Sequence, residues 1–171
     1  MNKVLIKNAI KPFNKEIHIE GDKSLSIRWA LLASQAVGKS TASNLLKSED
    51  ILSTLNCLKK LGVKVNLSKD KCEIYGLGIN GYKYKNNITL NAGNSGTLAR
   101  LIMGLLIHSK NKIKIIGDES LSKRDFTRVT NPLRKFGANF KTNSGKLPVI
   151  IKGTQNPQAI NYIENKGSAQ C

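Results

Sequence analysis

The chain has 171 residues, of which 40% are hydrophobic, and a formal net charge of +17. It contains no apolar run of the roughly 20 residues that a membrane-spanning helix needs, and its N-terminal stretch lacks the apolar core of a signal peptide. The sequence therefore predicts neither a membrane partner nor secretion. The excess of 28 basic over 11 acidic residues favours an anionic ligand or nucleic acid. Nucleic acid is disfavoured because the lysines are scattered and only 5% of residues are aromatic.

Cysteine and histidine usage bears on compartment and metal binding. The three cysteines, at positions 57, 72 and 171, are an odd number without close pairing, and the two histidines are isolated. The sequence predicts neither disulfides nor a metal site, and hence a protein of a reducing compartment, the cytoplasm.

The first predicted elements are a strand and a helix. In "KEIHIE" (15–20), apolar Ile17 and Ile19 alternate with polar residues, which is typical of a half-buried strand. The stretch "LSIRWALLASQAVG" (25–38) predicts a helix that ends at Gly38 as its C-terminal cap. Its predicted apolar face consists of Leu25, Trp29, Leu32 and Ala36.

The turn between these elements, in "GDKSLSIR" (21–28), suggests an anion site. A helix N-terminus presents unpaired N–H groups and partial positive charge, and therefore favours phosphate or carboxylate. Ser24 and Arg28 are four residues apart and share a helix face, and Lys23 lies beside them. An ordinary helix cap with two solvated charges is the alternative interpretation.

An internal repeat follows along the chain. "DILSTLNCLKKLG" (50–62) and "DFTRVTNPLRKFG" (125–137) each predict a helix with an aspartate in its first turn and a glycine at its C-terminal end. Two short strands follow each helix: "VKVNL" and "CEIYG" after the first, "ANFKT" and "PVIIKG" after the second. Pro132 predicts a kink or a late start of the second helix.

The opening turn repeats as well. "GNSGTLAR" (93–100) has the same glycine-to-arginine spacing, follows the predicted strand "NITLNA" and leads into the predicted helix "LARLIMGLLIHS". A third such turn, "GSAQC", begins at Gly167 after "INYIE". We expect repeat units at about 16–87 and 88–160, with a third begun at 161–171. The third turn has no helix after it, so we also expect the 171 residues to be the front part of a longer protein.

Five stretches in order resemble the 5-enolpyruvylshikimate-3-phosphate synthases: "GDKSLSIRWALLAS", "LLKSEDILSTLNCLKKLGV", "LNAGNSGTLARLIMGLL", "GDESLSKRDFTRVTNPLRKFGA" and "LPVIIKG" with "GSAQ". The resemblance implies an α/β (α+β) enolpyruvyl-transferase fold, in which two domains are each built from three βαβαββ units. It implies that residues 1–15 form strands belonging with a second domain, that 16–171 are an incomplete first domain, and that the full-length protein is a monomer.

The resemblance also implies a function. The family transfers the enolpyruvyl group of phosphoenolpyruvate to the 5-hydroxyl of shikimate 3-phosphate and releases phosphate, on the chorismate route to aromatic amino acids. It is the target of glyphosate and needs no cofactor or metal. The implied shikimate 3-phosphate ligands are Lys23, Ser24, Arg28, Ser168, Ala169 and Gln170. The implied phosphoenolpyruvate ligands are Lys23, Gly96, Arg124 and Gln170, with Lys23 also catalytic.

One departure from the family pattern bears on the proposed site, and two alternative functions stay open. Ser95 stands where the family often has alanine, which affects how the turn at Gly96 packs on phosphoenolpyruvate and hence inhibitor sensitivity. The family's proton-transfer carboxylates belong to the second domain, so we expect the isolated chain to be inactive. The alternatives are a relative of UDP-N-acetylglucosamine enolpyruvyl transferase and a basic nucleic-acid-binding domain.

Overall fold

A computed structural model describes Leu5, Lys7, residues 11–164 and Gly167. It is a mixed α/β structure with two sheets. The helices are α1 (Lys23–Gln35), α2 (Glu49–Lys60), α3 (Gly96–Leu105), α4 (Glu119–Ser122) and α5 (Thr127–Lys135). The strands are β1 (Val37–Ser43), β2 (Lys64–Leu67), β3 (Lys71–Leu77), β4 (Ile88–Asn91), β5 (Ile113–Ile116), β6 (Asn139–Asn143) and β7 (Lys146–Lys152).

The two sheets divide the chain into halves. The first sheet has the order β1-β3-β2, and both of its pairings are antiparallel. The second has the order β4-β5-β7-β6, in which β4 runs parallel to β5 and the other pairings are antiparallel. The second half therefore follows the predicted order of strand, helix, strand, helix and two strands, with the short α4 added before α5.

The core lies between the helices and one face of each sheet. In β7, Leu147, Val149 and Ile151 are buried while the residues between them point outward, as the two-residue period of a strand requires. Helix α1 packs against α2 and β3. The buried apolar residues of both halves form one continuous cluster, so the two sheets share a core.

The strand predicted over 15–20 is wrong. These residues form no strand, and Ile17 and Ile19 are 76% and 75% exposed. The segment is fastened near its end, where Asn44 Nδ2 donates to the Ile19 carbonyl over 3.3 Å. Its neighbour β1 is largely exposed, so among the described residues the two isoleucines have no apolar layer on which to pack.

The predicted helix at α1 exists, but its boundaries and buried face differ from the prediction. The helix ends at Gln35, and Gly38 instead lies in β1 with φ +94°. Leu25 and Leu32, predicted to face the core, are both 68% exposed. The buried positions are Ser26, Ile27, Ala30, Leu31, Ala33 and Ser34. This face, in which small residues alternate with Ile27 and Leu31, is the one that packs against α2 and β3.

The other predicted elements of the repeat are confirmed within one to three residues at most ends. Helix α2 ends before Gly62, which has φ +87°, and Gly137 takes φ +102° after α5. Helix α5 begins at Thr127 rather than at Asp125, but Pro132 lies inside the helix and so does not set this late start. Asp125 is therefore outside the helix, and its Oδ1 accepts the Thr127 N–H over 3.1 Å. The kink at Pro132 stays a prediction.

The two ends of the chain fall partly outside the described residues. Of the predicted N-terminal strands, Leu5, Lys7 and 11–15 are described and form no strand, and the rest lie outside. The strand predicted at 160–164 is wrong, because these residues are irregular and Ile163 is 80% exposed. The third repeat unit and the assignment of 1–15 to a second domain stay predictions.

Candidate functional site

The N-terminus of α1 carries the first cation of the site. Asp22 Oδ1 accepts the Leu25 N–H over 2.7 Å and thus caps the helix. Lys23 is the first helical residue, and its Nζ lies 3.1 Å from Asp50 Oδ2 at the start of α2. The Lys23 side chain is 53% exposed and that of Asp50 is 17% exposed. The mostly buried Asp50 carboxylate thus orients the Lys23 ammonium group, which stays accessible to solvent.

Ser24 and Arg28 lie on the same side of α1, as their spacing predicts. Arg28 Nη1 donates to the Ser24 carbonyl over 3.2 Å, which folds the arginine back toward the helix N-terminus. The start of α1 is anchored to the segment between β1 and α2, because Ser26 Oγ accepts the Leu46 N–H over 3.2 Å. Lys23, Ser24 and Arg28 therefore all belong to the first two turns of α1, with the Arg28 guanidinium directed toward the helix N-terminus.

The N-terminus of α3 forms the second part of the site. Ser95 is buried and its Oγ accepts the Leu98 N–H over 3.3 Å, so the residue that departs from the family pattern serves as the helix cap. Gly96 is the first helical residue. A Cβ at this position would lie 2.6 Å from Arg100 Nη1 and 3.2 Å from Arg124 Nη1. Two guanidinium groups therefore crowd the bare backbone of Gly96.

The two arginines are held in different ways. Arg100 donates to the Gly96 carbonyl over 3.3 Å and to the Asp125 carbonyl over 3.1 Å, and its guanidinium lies 4.9 Å from the centre of the Phe126 ring. Arg100 thereby ties α3 to the loop before α5. Arg124 is exposed, and its Nη2 donates to Asn94 Oδ1 over 3.4 Å. Of the two, Arg124 has the side chain that a ligand reaches more freely.

Asn94 connects Arg124 to a carboxylate. Asn94 Nδ2 donates to Asp118 Oδ2 over 2.6 Å, and Asp118 Oδ1 accepts the Leu121 N–H over 2.7 Å. The Leu121 amide first, then Asn94 and the nearby charge of Arg124, hold the pKa of Asp118 below its usual value. Asp118 is thus a stabilised anion beside the cationic site.

Helix α2 links the two turns. Asp50 in its first turn pairs with Lys23, and one turn later Ser53 Oγ lies 3.0 Å from where a Cβ on Gly93 would be. The structure thus places Arg124 beside Gly96, and the first two turns of α2 lie beside Lys23 as well as Gly93. The remaining predicted ligands, Ser168, Ala169 and Gln170, lie outside the described residues.

Three residues of this cluster were missed by the sequence reasoning. Asp50 was identified only as an aspartate in the first turn of a helix, Asn94 only as part of a polar turn, and Asp118 was given no role. Asp50 and Asn94 each contact a cation distant in sequence, and Asp118 contacts Asn94, which is also distant, so no short motif signals these contacts. The repeat did carry part of the signal, since Asp50 lies in the predicted helix between the two turns.

The described residues show few other reactive groups. They hold no group of three or more histidine, cysteine, aspartate or glutamate side chains that could bind a metal ion. Cys57 and Cys72 are buried free thiols. Burial raises the pKa of Cys57 to about 11 and also raises that of Cys72, which makes both poor nucleophiles. In the same part of the chain, none of the helices has both the length and the apolar character needed to cross a bilayer.

The fold and this cluster together define a class: an α/β protein in which two capped helix N-termini lie beside several cations, an arrangement suited to phosphate or carboxylate groups. The sequence model of the EPSP synthase family, 3-phosphoshikimate 1-carboxyvinyltransferase, matches residues 7–171. The chain belongs to this family.

Similar proteins agree with this assignment. The chain is 46% identical over 167 residues to the 3-phosphoshikimate 1-carboxyvinyltransferase of Vesicomyosocius okutanii, covering 96% of this chain and 38% of that protein. It is 38% identical over 172 residues to the enzyme of that name from Streptococcus pyogenes serotype M2, covering 99% and 40%. A solved EPSP synthase structure from Acinetobacter baumannii superposes with a TM-score of 0.85 at 37% identity, covering 90% of this chain and 35% of that one. The chain thus spans less than half the length of these relatives.

Proposed function

We propose that this chain acts in transferring the enolpyruvyl group of phosphoenolpyruvate to the 5-hydroxyl of shikimate 3-phosphate, with release of phosphate. This step lies on the chorismate route to aromatic amino acids. The observation that carries the proposal is the bare Gly96 at the start of α3, with the guanidinium groups of Arg100 and Arg124 beside it. Family membership supplies the substrates that such a site fits.

The turn at Gly96 suits phosphoenolpyruvate for physical reasons. A glycine lets an anion approach the first backbone N–H groups of α3, where the helix dipole adds partial positive charge. Arg124 offers a planar pair of donors to a phosphate or carboxylate. Arg100 adds positive charge at the same point while its own donors hold the Gly96 and Asp125 carbonyls.

Lys23 serves both substrates and the chemical step in this proposal. Its compact ammonium group, on a flexible side chain beside Asp50, is suited to follow negative charge as it moves between the two anions. Ser24 and Arg28 hold shikimate 3-phosphate from the same helix end. Ser168, Ala169 and Gln170 complete that side, with Gln170 also contacting phosphoenolpyruvate.

Several further expectations stay predictions. They are the cytoplasmic location, the monomeric state of the full-length protein, the lack of a cofactor and the sensitivity to glyphosate. The division of the chain into repeat units of one incomplete domain belongs with them.

Binding by single-arginine variants tests the proposed division of roles. A hydrogen bond to a charged group contributes about 1.5–3 kcal/mol, so its loss weakens binding roughly ten- to a hundredfold. Isothermal titration of the 171-residue chain is expected to show that Arg28→Ala weakens the binding of shikimate 3-phosphate more than that of phosphoenolpyruvate. Arg124→Ala is expected to show the reverse preference. Lys141→Ala, which removes an exposed cation on β6, is the control and changes neither.

Two results would contradict this proposal. Equal losses for both ligands in both arginine variants would remove the division of roles. A short oligonucleotide that binds the chain more tightly than either substrate would favour the nucleic-acid alternative, because the net charge of +17 serves that partner as well.

The 171-residue chain by itself is expected not to turn over. Enolpyruvyl transfer needs a proton delivered to the methylene carbon and one removed from the hydroxyl, and the carboxylates nearest the two turns are otherwise engaged. Asp22 and Asp118 cap helices, Asp50 pairs with Lys23, and Asp125 accepts from Thr127. The measurement is phosphate release that depends on shikimate 3-phosphate. Turnover within about tenfold of a full-length relative would contradict the expectation.

A further inference from the structure

We propose that Asn94 and Asp118 are positioning residues that hold Arg124 in its binding orientation against Gly96. The inference rests on the proposed role of Arg124 in anion binding and adds two residues to it. Neither residue is proposed to touch the substrate.

The hydrogen bonds give the Asn94 amide one polarity. An ionised carboxylate only accepts hydrogen bonds, so the 2.6 Å contact with Asp118 Oδ2 requires the amide nitrogen on that side. The amide oxygen must then face Arg124, and Nη2 donates to it over 3.4 Å. Asp118 thereby sets the direction of a side chain that it does not itself contact through a hydrogen bond.

This arrangement divides the guanidinium group. Nη2 is directed at Asn94, while Nη1 lies 3.2 Å from the Cβ position of Gly96. One nitrogen is therefore anchored and the other faces the bare backbone where the anion is proposed to bind. Because Asn94 is neutral, it orients the arginine without cancelling its charge, unlike the carboxylate that pairs with Lys23.

The hydrogen-bonded chain from Asp118 through Asn94 to Arg124, called the relay below, is fixed at its Asp118 end. The Asp118 N–H donates to the Gly93 carbonyl over 2.8 Å, so the turn before α3 and the turn before α4 are joined directly through their backbones. Asp118 Oδ1 is engaged by the Leu121 N–H over 2.7 Å, which leaves Oδ2 for Asn94. A Cβ at Gly117 would lie 2.9 Å from the Gly93 carbonyl oxygen, so a side chain there would push the turn before α4 away from the turn before α3.

Asparagine at position 118 tests the relay while keeping the helix cap. In Asp118→Asn, the side-chain oxygen still accepts from Leu121, but an NH₂ group now faces the NH₂ group of Asn94. The Asn94 amide must turn, and it then presents a donor to the Arg124 guanidinium. Asn94→Ala removes the relay outright. The swapped double variant Asn94→Asp/Asp118→Asn restores it, because the amide at 118 donates to a carboxylate that accepts from Arg124.

The experiment measures Arg124 itself and anion affinity on the 171-residue chain. The Arg124 side-chain N–H signals are followed by NMR, and phosphoenolpyruvate is titrated into each variant. Asn94→Ala and Asp118→Asn are expected to broaden the Arg124 signals and to weaken binding about tenfold, while urea denaturation shows that both variants are folded under the titration conditions. The swapped variant is expected to recover the Arg124 signals but only part of the affinity, because a carboxylate at position 94 offsets the charge of the guanidinium group. Asn139→Ala and Asp70→Asn, at exposed sites outside the two turns, are controls that change neither.

Each result decides between defined outcomes. Unchanged Arg124 signals in Asn94→Ala and Asp118→Asn overturn the positioning role, whatever happens to affinity. Unchanged affinity in both variants, when Arg124→Ala loses binding, also overturns it but leaves the proposed function standing. Failure of Arg124→Ala to weaken binding instead contradicts the proposed role of Arg124. In that case the Arg124 NMR signals alone test the positioning role of Asn94 and Asp118. A swapped variant that fails to restore these signals overturns that role.

Discussion

The turns that begin α1 and α3 have the same glycine-to-arginine spacing, yet they hold their cations differently. The first turn supplies its own cation, Lys23, whose Nζ lies 3.1 Å from Asp50 Oδ2 on α2. The second begins with Gly96 and takes its positive charge from Arg124, which a neutral amide orients. The repeat therefore preserves the backbone geometry of a capped helix N-terminus, while the source of the charge differs. In our proposal, this difference matches one turn to two substrates and the other to phosphoenolpyruvate.

The segments that lead into the two turns differ as well. Strand β4 pairs in parallel with β5 before α3 begins, so the second turn leaves a formed sheet. The first turn follows the irregular segment 15–20, which is attached through the bond between Asn44 and Ile19. The second turn is thus fixed from both sides, whereas the first depends mainly on the anchoring of α1.

The anchoring of α1 gives the largest expected effect. Ile27 is fully buried and Leu32 is 68% exposed, opposite to what the sequence pattern predicts for that helix face. Ile27→Ala is therefore expected to lower the free energy of unfolding by about 2–5 kcal/mol. Leu32→Ala on the same helix is the matched control, with a change within about 0.5 kcal/mol. Urea denaturation measures both changes. A larger loss of stability in Leu32→Ala than in Ile27→Ala would show that the face predicted from the sequence is the buried one.

The second turn depends on the absence of a side chain at Gly96. In Gly96→Ala, the new methyl group lies 2.6 Å from Arg100 Nη1 and 3.2 Å from Arg124 Nη1, so at least one guanidinium group has to move. We expect phosphoenolpyruvate affinity to fall about tenfold, equivalent to about 1.4 kcal/mol, with no loss of stability. Gly104→Ala serves as the control on α3, since a Cβ there meets no atom within 4 Å. Equal affinities for the two variants would argue against close approach at Gly96.

The two helix caps sharpen the comparison at a smaller scale. Ser95 is buried, so Ser95→Ala leaves the Leu98 N–H without a partner, at an expected cost of about 1–2 kcal/mol. Asp22 is exposed, and water replaces it at the Leu25 N–H in Asp22→Ala, which limits the expected cost to about 0.5–1 kcal/mol. Urea denaturation ranks the two variants. The reverse ranking would show that the charge of Asp22 outweighs the burial of Ser95.

Acid is expected to weaken the second turn by a smaller amount. The Leu121 amide lowers the pKa of Asp118, and the Thr127 hydroxyl lowers that of Asp125. Groups with a lowered folded-state pKa contribute stability above the unfolded pKa of about 3.9 and lose it as the pH falls through the folded-state pKa. Wild-type protein should therefore lose more stability than Asp118→Asn between pH 6 and pH 3. A parallel decline in both proteins would show that Asp118 contributes nothing.

The sequence carried most of the fold because its signals were local. Glycines with positive φ at 62 and 137 and the apolar run of "PVIIKG" in β7 each specify an element without reference to distant contacts. The buried face of α1 was missed because periodicity alone does not show which of its faces packs against α2 and β3. The segment 15–20 was missed because alternation predicts a strand only where a neighbouring layer covers one face.

The site was predictable only in part for the same reason. Lys23 and Gly96 follow from the turn motif and its repeat, and the family resemblance added Arg124. Asp50, Asn94 and Asp118 act across 24 to 30 positions in sequence. Such contacts depend on how elements far apart in sequence pack within each half, so they become visible only in the folded chain.

The most direct test of the central claim is whether the two turns respond together to the substrates. The measurement is the change in backbone amide NMR signals of the 171-residue chain when phosphoenolpyruvate and shikimate 3-phosphate are added. The account predicts that residues 23–25 and residues 96–98 both shift, with the same dependence on ligand concentration. Shifts confined to one turn, or found in neither, would contradict the claim that the starts of α1 and α3 form one anion site.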